Sequence, residues 1–286
     1  MKKTVILVCV LLFAFSQVYA VFNDYIPSAR ARGMGNAYIA GVTSPDAIFY
    51  NPACLHFSTN GVTAGYAKGF GLDFFVLKTG AFKYVIPKIG TFAMGIKTMD
   101  CEYQDVVLQS EGTYSIAQSF LLIGDVHSEL FLGYALNMYY LQFSESVSGM
   151  KPGEEMNFGV DLGAVAILHQ RTKIAFAVKN LNNPVIGEEQ TEDLPQSLTI
   201  GVAYEPYEGV TTEINLKQKF SEKTEVHFGF EYQLINNFWL RTGASTYPNS
   251  FSGGFGLLVR GVKFDYGFGT HPVLDVTHHF SLGYQF

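Results

Sequence analysis

Cysteine is scarce in this chain of 286 residues: Cys9, Cys54 and Cys101 are the only three. A disulfide-rich scaffold is therefore excluded, and Cys54 and Cys101 are too few and too far apart in sequence to read as a metal site, although they allow one disulfide. Charge is also sparse, at 15% of residues, with 19 Lys and Arg against 25 Asp and Glu. Phosphate-backbone binding needs a basic stripe, which this balance lacks, so no nucleic-acid partner is expected. After residue 20 no run approaches the ~20 apolar residues that a membrane-spanning helix requires. Nucleophile elbow, phosphate-binding loop and paired-cysteine signatures are missing as well, so neither an enzyme nor a cofactor is expected. The segment GMGNAY lacks the third glycine of a dinucleotide loop and follows no strand.

The first twenty residues are read as an export signal. Lys2 and Lys3 precede an apolar stretch from Val5 to Phe15, and Val18 and Ala20 suit cleavage before Val21. Val8 stands before Cys9 where a lipoprotein signal needs a small residue, which argues against a lipid anchor. Beyond residue 20 there remain 17 Lys and Arg against 25 acidic residues, a net charge of −8.

What the rest holds in abundance is aromatic residues, at 15%, and glycine, at 29 residues. From residue 61 onward the dominant signal is period two, which gives a strand two unlike faces. Val226, Phe228, Phe230 and Tyr232 alternate with Glu225, His227, Gly229 and Glu231; Val262, Phe264, Tyr266 and Phe268 alternate with Lys263, Asp265 and Gly267. About fourteen strands are predicted, at 61–68, 72–86, 91–100, 112–123, 129–143, 156–168, 172–180, 197–205, 210–218, 223–233, 237–245, 251–260, 262–270 and 277–286. With both termini on one side, the short connections RG, INN, PYEG, QR, DVHS and PKIG all fall on that side. The long polar segments 101–111, 144–155 and 181–196 fall on the other. Short periplasmic turns and longer external loops mark outer-membrane barrels. The fold class expected is therefore all-β, a transmembrane antiparallel β-barrel of about fourteen strands, exported to the outer membrane of a diderm bacterium. A closed sheet is the strand arrangement that leaves no backbone group unpaired in hydrocarbon.

Residues 21–60 lack the alternation, and forty residues ahead of the first strand are expected to occupy the lumen as a plug. Within them, ARARGMGNAYIA (29–40) and DAIFYNPACL (46–55) resemble the N-terminal signature of the FadL-type outer-membrane transporters for fatty acids and hydrocarbons, and more closely that of the shorter PorV/PorQ group. The resemblance covers residues 29–55; Cys54 stands where the family carries glycine after Asn-Pro-Ala. It implies a fourteen-stranded barrel with an N-terminal hatch in which Gly33, Gly35, Asn51, Pro52 and Ala53 have gating roles. It also implies passage of hydrophobic small molecules or, as in PorV-like members, handling of exported cargo proteins in type IX secretion; a mainly structural surface barrel is the third alternative.

Charged residues expected on the lumen face are Asp161, Lys179, Glu213, Lys217, Glu225, Glu231, Arg241, Arg260, Lys263 and Asp265, forming either a carboxylate-binding lining or an internal salt-bridge network. Gly80 and Pro87 mark a candidate kink in the second strand. His278 and His279 are adjacent and so point to opposite faces, which argues against a shared metal. The closing residues HHFSLGYQF, with Tyr284 and Phe286 toward lipid, resemble the C-terminal signal read by the barrel assembly machinery, so that machinery and outer-membrane lipid are the expected partners.

Overall fold

The computed structural model describes residues 22, 25–87, 90–104, 106–144, 153–187, 192–220 and 222–286. The export signal expected at 1–20 and most of the segment 144–155 lie outside the described residues. Fourteen strands close into one antiparallel barrel. They are β1 (Gly61–Lys68), β2 (Phe75–Ile86), β3 (Gly90–Tyr103), β4 (Val106–Gly124), β5 (Ser128–Phe143), β6 (Glu154–Leu168), β7 (Thr172–Lys179), β10 (Ser197–Tyr204), β11 (Val210–Lys219), β12 (Glu225–Ile235), β13 (Phe238–Ser245), β14 (Ser250–Val259), β15 (Val262–Gly269) and β16 (Thr277–Gln285). Two short strands, β8 (Val185–Ile186) and β9 (Glu192–Asp193), pair with each other inside the β7–β10 connection. Pairing of β16 with β1, from Gly61 opposite Gln285 to Lys68 opposite His278, closes the cylinder and removes both edges.

Alternation in the sequence becomes two surfaces. On β11, Ile214 and Leu216 are exposed while Glu213 and Asn215 are each 1% exposed. On β12, Phe228 is exposed and His227 and Glu231 are buried. An apolar exterior and a polar interior are the inverse of a soluble domain and suit a wall immersed in lipid. No helix among the described residues is long and apolar enough to cross a membrane.

Two features depart from the sequence reading. Residues 101–111, expected as a long loop, belong mostly to strands: β3 runs to Tyr103 and β4 begins at Val106, with a register shift at Cys101 and Glu102. Polar residues on both faces of this hairpin hide the alternation, because beyond the lipid band neither face needs to be apolar. Similarly, where a kink is expected at Gly80 and Pro87 the strand pairing carries no bulge. Gly80 pairs with Ala64 on one side and Ile96 on the other without a register shift, and Pro87 lies in the turn after β2. Register shifts fall instead in β3–β4, β4–β5 and β12–β13.

Ahead of β1 come three short helical turns, α1 (Ala29–Gly33) and the 3-10 turns Pro45–Phe49 and Pro52–His56. Phe22 is buried with Tyr139, Leu141, Ile186 and Leu194 at the end of the barrel where the β7–β10 connection lies. Ser58 lies toward the opposite end, where its carbonyl accepts from Lys83 Nζ at 2.6 Å. Between these points the segment packs against inward-facing residues of the wall.

Candidate functional site in the barrel interior

Glycine pairs on the inner wall set how closely the N-terminal segment can approach. Gly229 and Gly243 face each other across β12 and β13, and a β-carbon on Gly229 would lie 2.7 Å from the Met34 carbonyl oxygen. Gly254 and Gly267 oppose each other across β14 and β15, and a β-carbon on Gly267 would lie 2.9 Å from Gly33 N. Gly133 and Gly163 pair across β5 and β6 beneath Asn51–Ala53; a β-carbon on Gly133 would lie 2.7 Å from the Pro52 carbonyl oxygen. Three glycine windows thus admit backbone where side chains would otherwise stand. On the segment itself, Gly35 has φ +62°, and a β-carbon there would sit 2.6 Å from Ala244 N, so glycine is required on both counts.

Charge fixes what the glycines admit. Arg30 forms a two-pronged pair with Glu231 on β12, Nε to Oε2 at 2.8 Å and Nη2 to Oε1 at 2.6 Å. Its Nη1 donates to Thr43 Oγ1 at 2.7 Å. Glu231 also accepts from Arg241 Nε at 2.5 Å, and Arg241 Nη1 lies 2.7 Å from Asp265 Oδ1. Lys263 lies 3.9 Å from Asp265 and over the Trp239 ring. The network therefore joins the segment to β12, β13 and β15, and it compensates buried charges that would each be costly alone.

A second anchor is Glu213 on β11. Its carboxylate accepts three successive backbone N–H groups, from Ile39 at 2.5 Å, Ala40 at 2.9 Å and Gly41 at 2.9 Å. Charge-assisted bonds of this kind are the stronger class. His227 adds a contact to the Gly35 carbonyl at 2.9 Å, and Thr63 donates to Asp46 at 2.6 Å. Asn51, fully buried, caps the Pro52–His56 turn by accepting from Ala53 N at 3.1 Å, and its Nδ2 donates to the carbonyls of Ile39 and Ala164.

In the structure Glu213, Glu231, Arg241 and Asp265 are buried, with Lys263 half-buried beside them, while Asp161 and Asn180 sit together near the Phe22 end. Arg260 is different: it occupies the two-residue β14–β15 turn with φ +50° and is exposed, because the hairpin reverses there and its side chain leaves the strand face. Gly33 lies within van der Waals reach of Arg241, and Gly35, Pro52 and Ala53 all touch the glycine windows. Tyr284 and Phe286 face outward, and Phe286 stacks with Phe82 at 6.4 Å. His278 is exposed and bonded to the Tyr266 hydroxyl, whereas His279 is fully buried. No metal-ligand cluster occurs among the described residues. Cys54 and Cys101 are free thiols, and Cys54 Sγ donates to the Ile39 carbonyl at 3.2 Å. Arg30 and Asp46 are the members of the site that face-by-face reading of strands misses. Arg30 and Asp46 sit outside any strand, and only their place within the two quoted motifs could have flagged them.

Chemically the arrangement is a set of ion pairs and hydrogen bonds that ties the segment to the wall. Cavities beside the segment are small, about 40 Å³ next to Asp161 and about 30 Å³ next to His227, room for a water or two. A second surface of note is on the outside: a concavity of about 770 Å³ over β1–β6, lined almost wholly by apolar side chains.

No family model and no curated protein matches the chain. Solved structures do. The Pseudomonas putida toluene transporter TodX superposes with TM-score 0.64 at 13% identity, covering 91% of this chain and 98% of that one. A Pseudomonas aeruginosa FadL homologue superposes with TM-score 0.57 at 12% identity, covering 91% and 99%. A deletion mutant of the TodX monoaromatic hydrocarbon channel gives 0.61 at 12% identity, covering 90% and 96%. At such identities the likeness is one of fold, and the fold of this chain is that of the FadL-type outer-membrane transporters.

Proposed function

We propose that the protein is an outer-membrane channel for hydrophobic small molecules of fatty-acid or hydrocarbon type, with residues 21–60 as a plug that closes it. The observation that carries this reading is how the interior is filled. A separate stretch of chain occupies it, held by ion pairs and hydrogen bonds to Glu231 and Glu213 rather than by strand pairing. Such contacts can be exchanged for water without opening the wall. The shared fold with structures described as toluene and monoaromatic hydrocarbon channels supports the substrate class. The test is uptake of radiolabelled toluene and oleate by cells making the protein, its Glu231→Gln variant, or neither. Uptake above the empty cells, increased further by Glu231→Gln, is expected; identical uptake in all three contradicts the proposal.

A second reading rests on the same closure together with the Gly33-Met34-Gly35 and Asn51-Pro52-Ala53 motifs: a PorV-like barrel that handles exported cargo and conducts nothing. Deleting the protein would then strand cargo in the periplasm, and normal secretion would remove this reading.

A further inference from the structure

The outer wall carries a feature that transport through the lumen does not use. Across β1–β6 the lipid-facing side chains form the concavity of about 770 Å³, bounded by Val62, Phe82, Met94, Ile116 and Phe158, with Gly80 in its floor. Gly80 sits in the row Ala64–Gly80–Ile96, where small residues on two neighbouring strands leave the wall hollow. Immediately toward the long-loop end, on the same outward face, stands a row of basic groups. Lys78 is two residues from Gly80, Lys68 is two residues from Tyr66, the partner of Lys78, and His278 pairs directly with Lys68. All three are exposed. Lys68 holds Asp73 at 2.6 Å and Lys78 holds Asp100 at 3.1 Å. Both are surface pairings of a kind worth little and readily exchanged for another anion.

An apolar hollow with two lysine ammonium groups and an imidazole along its polar end matches an amphiphile whose chain is apolar and whose head is anionic. We propose that this wall is a binding site for one phosphate-bearing acyl lipid of the outer leaflet, its chain over Gly80 and its phosphate between Lys68, Lys78 and His278. The inference goes beyond the channel reading and stands whether or not the lumen conducts.

Native mass spectrometry of the purified full chain, titrated with dioleoyl phosphatidylglycerol or with dioleoylglycerol, which has the same chains and no phosphate, tests it. One phosphatidylglycerol is expected to be retained at concentrations where dioleoylglycerol is lost. Lys68→Gln with Lys78→Gln should weaken retention by roughly fivefold for each lysine removed, and Gly80→Leu, which fills the hollow, should weaken it for both lipids. Equal retention of the two lipids by the native chain, or phosphatidylglycerol binding unchanged in both variants, overturns the proposal. The lysine variant alters exposed side chains alone, so it decides the matter even where Gly80→Leu fails to insert.

Discussion

The two faces of a single strand are built on opposite rules. On β12 the outward Phe228 is exposed on the apolar face, whereas the inward Glu231, 4% exposed, holds Arg30 and Arg241 at once. Outside, many apolar side chains are interchangeable, because each trades contact with its neighbours for contact with acyl chains. Inside, Glu213, Glu231, His227 and Thr63 have assigned partners on the N-terminal segment, and the glycines are as specific as the charges. The lesson is that the wall tolerates composition on one face and demands identity on the other.

Substitutions can break that contrast, beginning where most is at stake. Glu231→Ala leaves two buried guanidinium groups without their shared carboxylate, and removal of one partner from a buried pair costs about 3–5 kcal/mol. The folded, heat-modifiable band on a gel should be lost at markedly lower temperature than in the native chain. Glu213→Ala orphans three backbone N–H groups, at roughly 1 kcal/mol each about 3 kcal/mol in all, read by the same assay. Gly243→Val forces side-chain atoms onto the Met34–Gly35 backbone and should cost about 1–3 kcal/mol. At the other extreme, Phe228→Leu on the lipid face should stay within about 0.5 kcal/mol of the native barrel. Removing Phe286 sharpens the comparison differently. Its ring stacks on Phe82 and its N–H donates to the Asn60 carbonyl at 3.2 Å, minor contacts at the rim. Membrane insertion in cells should fall while the melting of the barrel that does insert stays the same; unimpaired insertion would remove the assembly-signal role.

The barrel was legible in the sequence because period two is imposed by the membrane itself. The expected β1 at 61–68 matches Gly61–Lys68, and β7, β10, β13 and β15 deviate from expectation by a residue at an end. Legibility failed where the lipid stops acting. Residues 101–111 extend a hairpin beyond the apolar band, so their polar character signalled a loop. Counting along the strand places Arg260 on the lumen face, but the chain has already turned there. Of the interior, the wall residues Glu213, Glu231, Arg241, Lys263 and Asp265 could be read from their face. Their partners could not, since pairing Arg30 with Glu231 or Glu213 with the Ile39–Gly41 amides depends on how a non-repeating segment threads a cylinder. The glycine windows were half visible. Inward glycines could be counted, but their pairing as Gly229–Gly243 or Gly133–Gly163 required the strand register.

Cys54 supplies the most direct test that the N-terminal segment is a charge-locked plug. It is fully buried, and its thiol donates to the carbonyl of Ile39, whose own N–H is held by Glu213. In a Cys101→Ser background, the rate at which a membrane-impermeant maleimide labels Cys54 in the inserted barrel would be measured with Glu213 intact and with Glu213→Gln, alongside toluene uptake. A plug released by loss of that carboxylate predicts that labelling and uptake rise together. Cys54 remaining equally protected in both proteins would contradict it.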